Sequence, residues 1–187
     1  MLLADQDTCF PVDIFDRYHE ARRAEPDSHL FAPILVDDMG IVSPFKLGIV
    51  GGKRLKSITP GKMNLRETCA INSGLLLSVD LFERAGGYDE RIRLDFSDHN
   101  FFRKLRPLVS QFITLDIICR HTLSSSRDAK LKDALSRFII YIEGSRTAGR
   151  EFGNALLFEC YAFLRAVKLS WRYRSFRFVG SLLRSAS

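Results

Sequence analysis

The chain is 187 residues long, 46% hydrophobic and 27% charged, with a formal net charge of +6, which allows one sizeable core and excludes a disordered or fibrous polypeptide. Cys9, Cys69, Cys119 and Cys160 stand far apart, with no C-x-x-C pair and no histidine at zinc-ligand spacing. Neither a disulfide framework nor a structural zinc is expected, and the thiols read as those of a reduced cytosolic protein.

Met1-Leu2-Leu3-Ala4 reads as an apolar strand end, too short and too poor in basic residues for a signal peptide. It delivers Asp5 and Asp7 at its mouth. Carboxylates one residue apart in such a place can share a divalent cation with a diphosphate, because Mg2+ and Mn2+ prefer hard oxygen ligands. Phe10-Pro11 breaks the backbone, and Ile14, Phe15, Tyr18 and Ala21 then recur near helical spacing between Val12 and Glu25, where Pro26 stops the helix.

His29 to Val36 is a compact apolar run that predicts a buried strand, and Asp37-Asp38-Met39-Gly40 turns the chain into a short strand, Ile41 to Ser43. Residues 45–68 are rich in glycine and basic side chains without a clear period, which predicts a mobile loop over the site. Order returns at Cys69 to Gly74 and continues through a strand, Leu75 to Ser78. A short amphipathic helix from Val79 to Ala85 follows, with Asp80 as its expected cap and Gly86-Gly87 as its stop.

Tyr88 to Leu94 is a turn-rich connection, and Asp95 to His99 opens a helix that carries Phe101, Phe102 and Leu105 as far as Pro107. Val109 to Ile118 predicts another strand, ending at Cys119-Arg120-His121, with a serine-rich turn at 124–126 beyond it. The rest reads as helical: one helix about Leu131 to Glu143, a break marked by Gly144, Gly149 and Gly153, and a second about Ala155 to Trp171. The apolar run at 155–164 is far short of the ~20 residues a membrane span requires.

Four segments now stand in one order: LLADQDT at 2–8, AINSGLLLS at 70–78, AGGYDE at 85–90 and LDFSDHNFF at 94–102. Together they resemble the family-2 inverting glycosyltransferases of GT-A fold, most closely their rhamnosyltransferase-like branch. The resemblance covers about residues 1–123. It implies an α/β fold, the C-terminal part of a GT-A Rossmann-like sheet, with residues 124–187 as a basic helical extension.

By that resemblance Asp5 and Asp7 match the DXD pair, with Asp7 on the divalent metal and Asp5 facing the ribose or metal of a nucleoside-diphosphate sugar. Asp98 matches the base that removes the acceptor's proton, and His121 sits where a further metal or diphosphate contact is found. Asn72, Ser73, Gly74 and Asp95 fall on the acceptor side. The donor implied is dTDP-rhamnose, and the acceptor a glycan or lipid-linked glycan in cell-surface polysaccharide assembly.

Such chemistry is an in-line displacement that needs a carboxylate for the acceptor proton and a cation for the departing diphosphate. Two departures stand out. Ser97 occupies the place where the family often has a glutamate before the base, and the family's N-terminal nucleotide-binding strands do not precede Met1. The expectation is therefore an N-terminally truncated transferase, weak or inactive alone, or else an accessory binding domain that kept only the acceptor half.

Plainer readings stand beside these. Asp5 and Asp7 also suit a turn, Asp95 and Asp98 also suit a helix cap, and His121 also suits a hydrogen-bonded strand end. Asn72, Ser73 and the glycines are read first as structural. A haloacid-dehalogenase-type phosphatase also opens on D-x-D, but Cys9 stands where its threonine or valine belongs.

Charge is divided along the chain: residues 1–100 carry 12 Lys/Arg against 16 Asp/Glu, and residues 101–187 carry 16 against 6. After Glu159 there is no acid, and Arg165, Lys168, Arg172, Arg174, Arg177 and Arg184 are interleaved with Trp171, Tyr173, Phe176 and Phe178. This tail suits packing on its own domain together with peripheral contact with an anionic membrane at the inner face of the cell membrane. Nucleic acid is the least favoured partner, since no recognised module accompanies the charge.

Overall fold

The computed structural model describes residues 1–48, 50–122 and 130–184. Its contacts divide the chain into two units, residues 1–87 with 101–124 and residues 88–100 with 125–187. The expected serine-rich turn lies outside the described residues.

The first unit is α/β. Its central pair is β2 (Leu30–Asp37) and β9 (Gln111–His121), which run parallel. Antiparallel neighbours complete a mixed sheet among the described residues: β1 (Thr8–Cys9) and β6 (Gly61–Asn64) on β9, β3 (Gly40–Ser43) and β8 (Leu76–Leu77) on β2. Helix α1 (Ile14–Ala24) covers one face. There Ile14 and Tyr18 pack with Phe31, Leu35, Ile113, Leu115, Ile117 and Cys119, the odd-numbered side chains of both central strands. On β9 the even-numbered Phe112 turns away from this cluster to meet Phe102 edge-on at 5.7 Å.

The register of the central pair breaks at Pro33. Ala32 stands opposite Thr114 but Ile34 stands opposite Ile118, so β9 takes four steps where β2 takes two. Proline has no N–H to give to the ladder, and a bulge is where a sheet tolerates it. The carbonyl of Asp116 in the bulge accepts a hydrogen bond from Arg17 Nη1 at 2.9 Å.

The segment 45–68, expected as a mobile loop, instead contains β4 (Phe45–Leu47), β5 (Gly52–Arg54) and β6, and leads into β7 (Thr68–Cys69). Strands β5, β4 and β7 form a small antiparallel sheet in that order. Strands of two to four residues bury at most two side chains each, and β5 and β6 bury none, too few to show a period. Helix α2 (Val79–Arg84) is capped by Ser78, whose Oγ accepts from the Leu81 N–H at 3.2 Å, and not by Asp80, which is already inside the first turn.

Helix α3 (Ser97–Leu105) begins in the second unit and ends in the first. The other elements of the second unit, among the described residues, are the helices α4 (Leu131–Glu151), α5 (Ala155–Tyr173) and α6 (Arg177–Arg184). The expected glycine break inside α4 does not occur. Gly144 and Gly149 are buried within the helix, and a Cβ on Gly149 would stand 2.9 Å from Phe158 Cβ. Gly149 admits this close neighbour, while the chain turns after Gly153, whose φ is +71°. Among the described residues no helix is long and apolar enough to cross a membrane.

Candidate functional site

Residues 1–5 run antiparallel to the NSG segment. Leu3 N–H donates to Leu75 O at 2.9 Å, and Gly74 N–H donates to Leu3 O at 2.8 Å. The chain then turns through the DQD loop into β1, whose Thr8 pairs with His121 at the end of β9. Thr122 N–H donates to Asp7 O at 2.9 Å. The loop is thus held between two strand ends, and Asp5, Asp7, Ser73 and His121 meet there although up to 116 positions separate them in sequence.

A directional chain of hydrogen bonds links them. Asp5 N–H donates to Ser73 Oγ at 3.2 Å, Ser73 O–H donates to Thr8 Oγ1 at 2.6 Å, and Thr8 Oγ1 lies 2.8 Å from His121 Nδ1. Because Ser73 spends its proton on Thr8, the Thr8 hydroxyl is free to donate to Nδ1. Neutral His121 then carries its proton on Nε2. Ser73 is fully buried and His121 nearly so, so these bonds fix the loop from below.

The carboxylates are less well served. Asp7 Oδ1 is buried, lies 3.6 Å from His121 Nδ1, and has no hydrogen-bond partner among the described residues. Burial raises the Asp5 carboxyl above its ordinary range, the charge of Asp7 raises it further, and His121 partly opposes both. A buried acceptor without a donor beside a second carboxylate costs free energy that a cation or a proton would recover. The set therefore fits a hard divalent ion in its donor chemistry. Among the described residues no group of three or more His, Cys, Asp or Glu side chains comes together to hold a metal.

Gly74 serves the backbone. Its φ is +78°, and a Cβ there would stand 2.5 Å from Pro33 Cγ. Its carbonyl accepts a hydrogen bond from the Tyr18 hydroxyl, and burial raises the phenol's pKa well above the ordinary value. Asn72 O accepts from Leu75 N–H at 3.0 Å, closing the turn around Ser73. Thr8 and Tyr18 were not among the expected site residues. Thr8 was legible as the fourth letter of DQDT, whereas Tyr18 shows in the sequence only as a member of an apolar helical face.

Asp95 and Asp98 belong to the second unit. Asp98 stands half-buried in the first turn of α3, which starts at Ser97, so it is not the cap of that helix. Asp95 Oδ1 lies 3.5 Å from Arg165 Nη1, and its Oδ2 is buried without a hydrogen-bond partner among the described residues. The guanidinium of Arg165 sits 3.8 Å over the Tyr141 ring.

Leu94 and Phe96 on either side of Asp95 are left-handed, with φ of +56° and +77°. For bulky side chains such backbone costs about 1–3 kcal/mol each, and it persists where the surroundings impose it. Here Phe96 is seated against Tyr141 and Phe158, with ring centroids at 5.2 and 5.5 Å.

Comparison of the chain with protein-family models, with curated proteins and with solved structures found no match.

Proposed function

We propose that the chain is an inverting glycosyltransferase of the GT-A kind, or a piece of one. It moves a sugar, rhamnose in the first instance, from a nucleoside-diphosphate donor to a glycan or lipid-linked acceptor in cell-surface polysaccharide assembly. The observation that supports this reading best is Asp7 Oδ1, buried and lacking a hydrogen-bond donor among the described residues, next to a second, destabilised carboxylate. The ordered motifs around Asp5, Ser73, Asp89 and Asp98 add to it.

Asp7 and Asp5 supply two hard oxygen ligands, and the oxygens of a bound diphosphate are the usual complement to such a pair. When bound, Mg2+ or Mn2+ neutralises charge on the departing diphosphate. Ser73 and Thr8 hold the backbone of the loop that carries the two carboxylates. His121, with Nδ1 engaged by Thr8, is suited to contact a diphosphate oxygen rather than to ligate metal. Asp98 takes the proton of the acceptor hydroxyl as the new bond forms.

Electron paramagnetic resonance of Mn2+ with thymidine diphosphate tests the reading. The free-ion signal should fall when the wild-type chain is added, and should not fall with folded Asp7→Asn. Asp98→Asn should keep that binding and lose sugar transfer. Identical Mn2+ signals with wild type and Asp7→Asn would remove the transferase reading.

A further inference from the structure

Helix α5 has a buried face and an exposed apolar one. Phe158, Ala162, Ala166 and Ser170 are buried. Leu156, Phe163, Leu164, Val167 and Trp171 are exposed, Leu156 and Trp171 by 81% and 87%. With exposed Cys160 they recur every three or four residues, which on a helix makes one continuous outward stripe. Alongside it is an open groove of about 480 Å3 lined by Cys160, Phe163, Leu164, Leu182 and Leu183 of α5 and α6, with the Arg146–Glu159 pair also on its wall. Single exposed apolar residues are ordinary, but a contiguous strip of this kind marks an interaction surface.

The charges decide what covers it. Between residues 155 and 184 there are six cations, Arg165, Lys168, Arg172, Arg174, Arg177 and Arg184, of which Arg165 is paired with Asp95, and one carboxylate, Glu159. That carboxylate is already bound by Arg146. At 100° per residue, Lys168 and Arg172 border the stripe on the side away from Glu159, and both are exposed.

A second copy of this face would bring like charges together. Nucleic acid would answer the cations but leave Leu156, Leu164 and Val167 in water. An anionic lipid surface answers both, and Trp171 beside Arg172 and Arg174 is the pairing that settles at headgroup level.

We propose that α5, joined by Leu183 of α6, lies on an anionic bilayer, with its apolar stripe at the boundary of headgroups and acyl chains and with Lys168 and Arg172 at the lipid phosphates. The inference stands whether or not the chain transfers sugar. It fits a lipid-linked acceptor, which would be presented at such a surface.

Trp171 is the only tryptophan of the chain, so its emission reports this face directly. Vesicles of phosphatidylcholine with phosphatidylglycerol should shift the emission to the blue and carry the chain down on centrifugation, and phosphatidylcholine alone should do neither. Leu164→Glu with Val167→Glu should abolish the shift. Lys168→Glu with Arg172→Glu should weaken partitioning at least about 25-fold, since each basic residue near such a surface contributes roughly fivefold.

Absence of a shift with the wild-type chain overturns the proposal, as does equal binding to neutral and anionic vesicles. A dimer that shields Trp171 without lipid would assign the face to a second copy. Nucleic-acid binding without vesicle binding would assign it to that partner. The wild-type measurements decide the matter even where a variant fails to fold, which far-ultraviolet circular dichroism reveals.

Discussion

Ser73 and Thr8, 65 positions apart, are joined hydroxyl to hydroxyl at 2.6 Å, and this bond ties the acidic loop to the strand segment beside it. Ser73 also accepts from the Asp5 N–H, so Ser73→Ala leaves two polar groups without their partner. The variant should lose about 1–3 kcal/mol of stability, read as a lower urea midpoint. An unchanged midpoint would mean that water replaces both bonds and that the loop is not held by Ser73.

Asp5 makes stability depend on pH in an unusual direction. Its carboxyl is raised above 3.8, chiefly by burial, then by Asp7, with His121 opposing. The folded chain therefore holds this proton more tightly than the unfolded chain does. Its contribution is complete below 3.8 and is lost as pH rises through the higher folded value. Asp5→Asn never acquires the charge, so its melting temperature should rise relative to wild type as pH increases from about 3.8. A parallel pair of melting curves across that range would show that Asp5 bears no such penalty.

The opposite sign holds for Asp37. Arg54 donates to its two oxygens at 2.6 and 2.5 Å, and that pairing pushes the carboxyl down to about 2. The stabilisation is present above 3.8 and disappears as pH falls through about 2. Arg54→Met should therefore be less stable than wild type at neutral pH, with the difference closing in acid. Thermal melts at the two ends of that range measure it.

Two glycines of one helix should respond oppositely to alanine. At Gly144 a Cβ would meet Asp95 O at 3.4 Å, an ordinary contact, so Gly144→Ala should gain up to about 1 kcal/mol from helix propensity. At Gly149 the same carbon would stand 2.9 Å from Phe158 Cβ and 3.2 Å from Ala155 Cα. Backbone and ring base cannot step aside cheaply, so Gly149→Ala should destabilise by about 1–3 kcal/mol despite the better propensity. Denaturant titration of the two variants gives the comparison.

These glycines also show where the sequence was legible and where it was not. Helix α1 and strands β2 and β3 lie within one or two residues of their expected bounds, because each carries enough apolar residues in one period to declare itself. Gly144 and Gly149 were expected to break α4, since a glycine without visible neighbours reads as a stop. At Gly149 it is the Phe158 side chain and the Ala155 backbone, brought up by tertiary packing, that account for a glycine inside a continuous helix. The short strands of 45–68 were illegible for a related reason, since β4 pairs with β7 and β6 with β9, both remote in sequence.

In the candidate site, the aspartates were legible as a motif and His121 as a strand end. Their meeting through Thr8 was not, because β1 is two residues long and its partner lies more than a hundred positions away.

The bulge in β9 carries a constraint of parity. Opposite Pro33 the strand spends two additional residues, and an even number leaves the alternation of faces intact, so Ile113 and Cys119 share one core from either side of the irregularity. A single-residue insertion or deletion between Leu115 and Ile117 would make that number odd. Cys119 and His121 would then swap faces with Ile118 and Arg120, and the imidazole would leave Thr8. The acidic loop would be dismantled by an indel that alters none of its own residues.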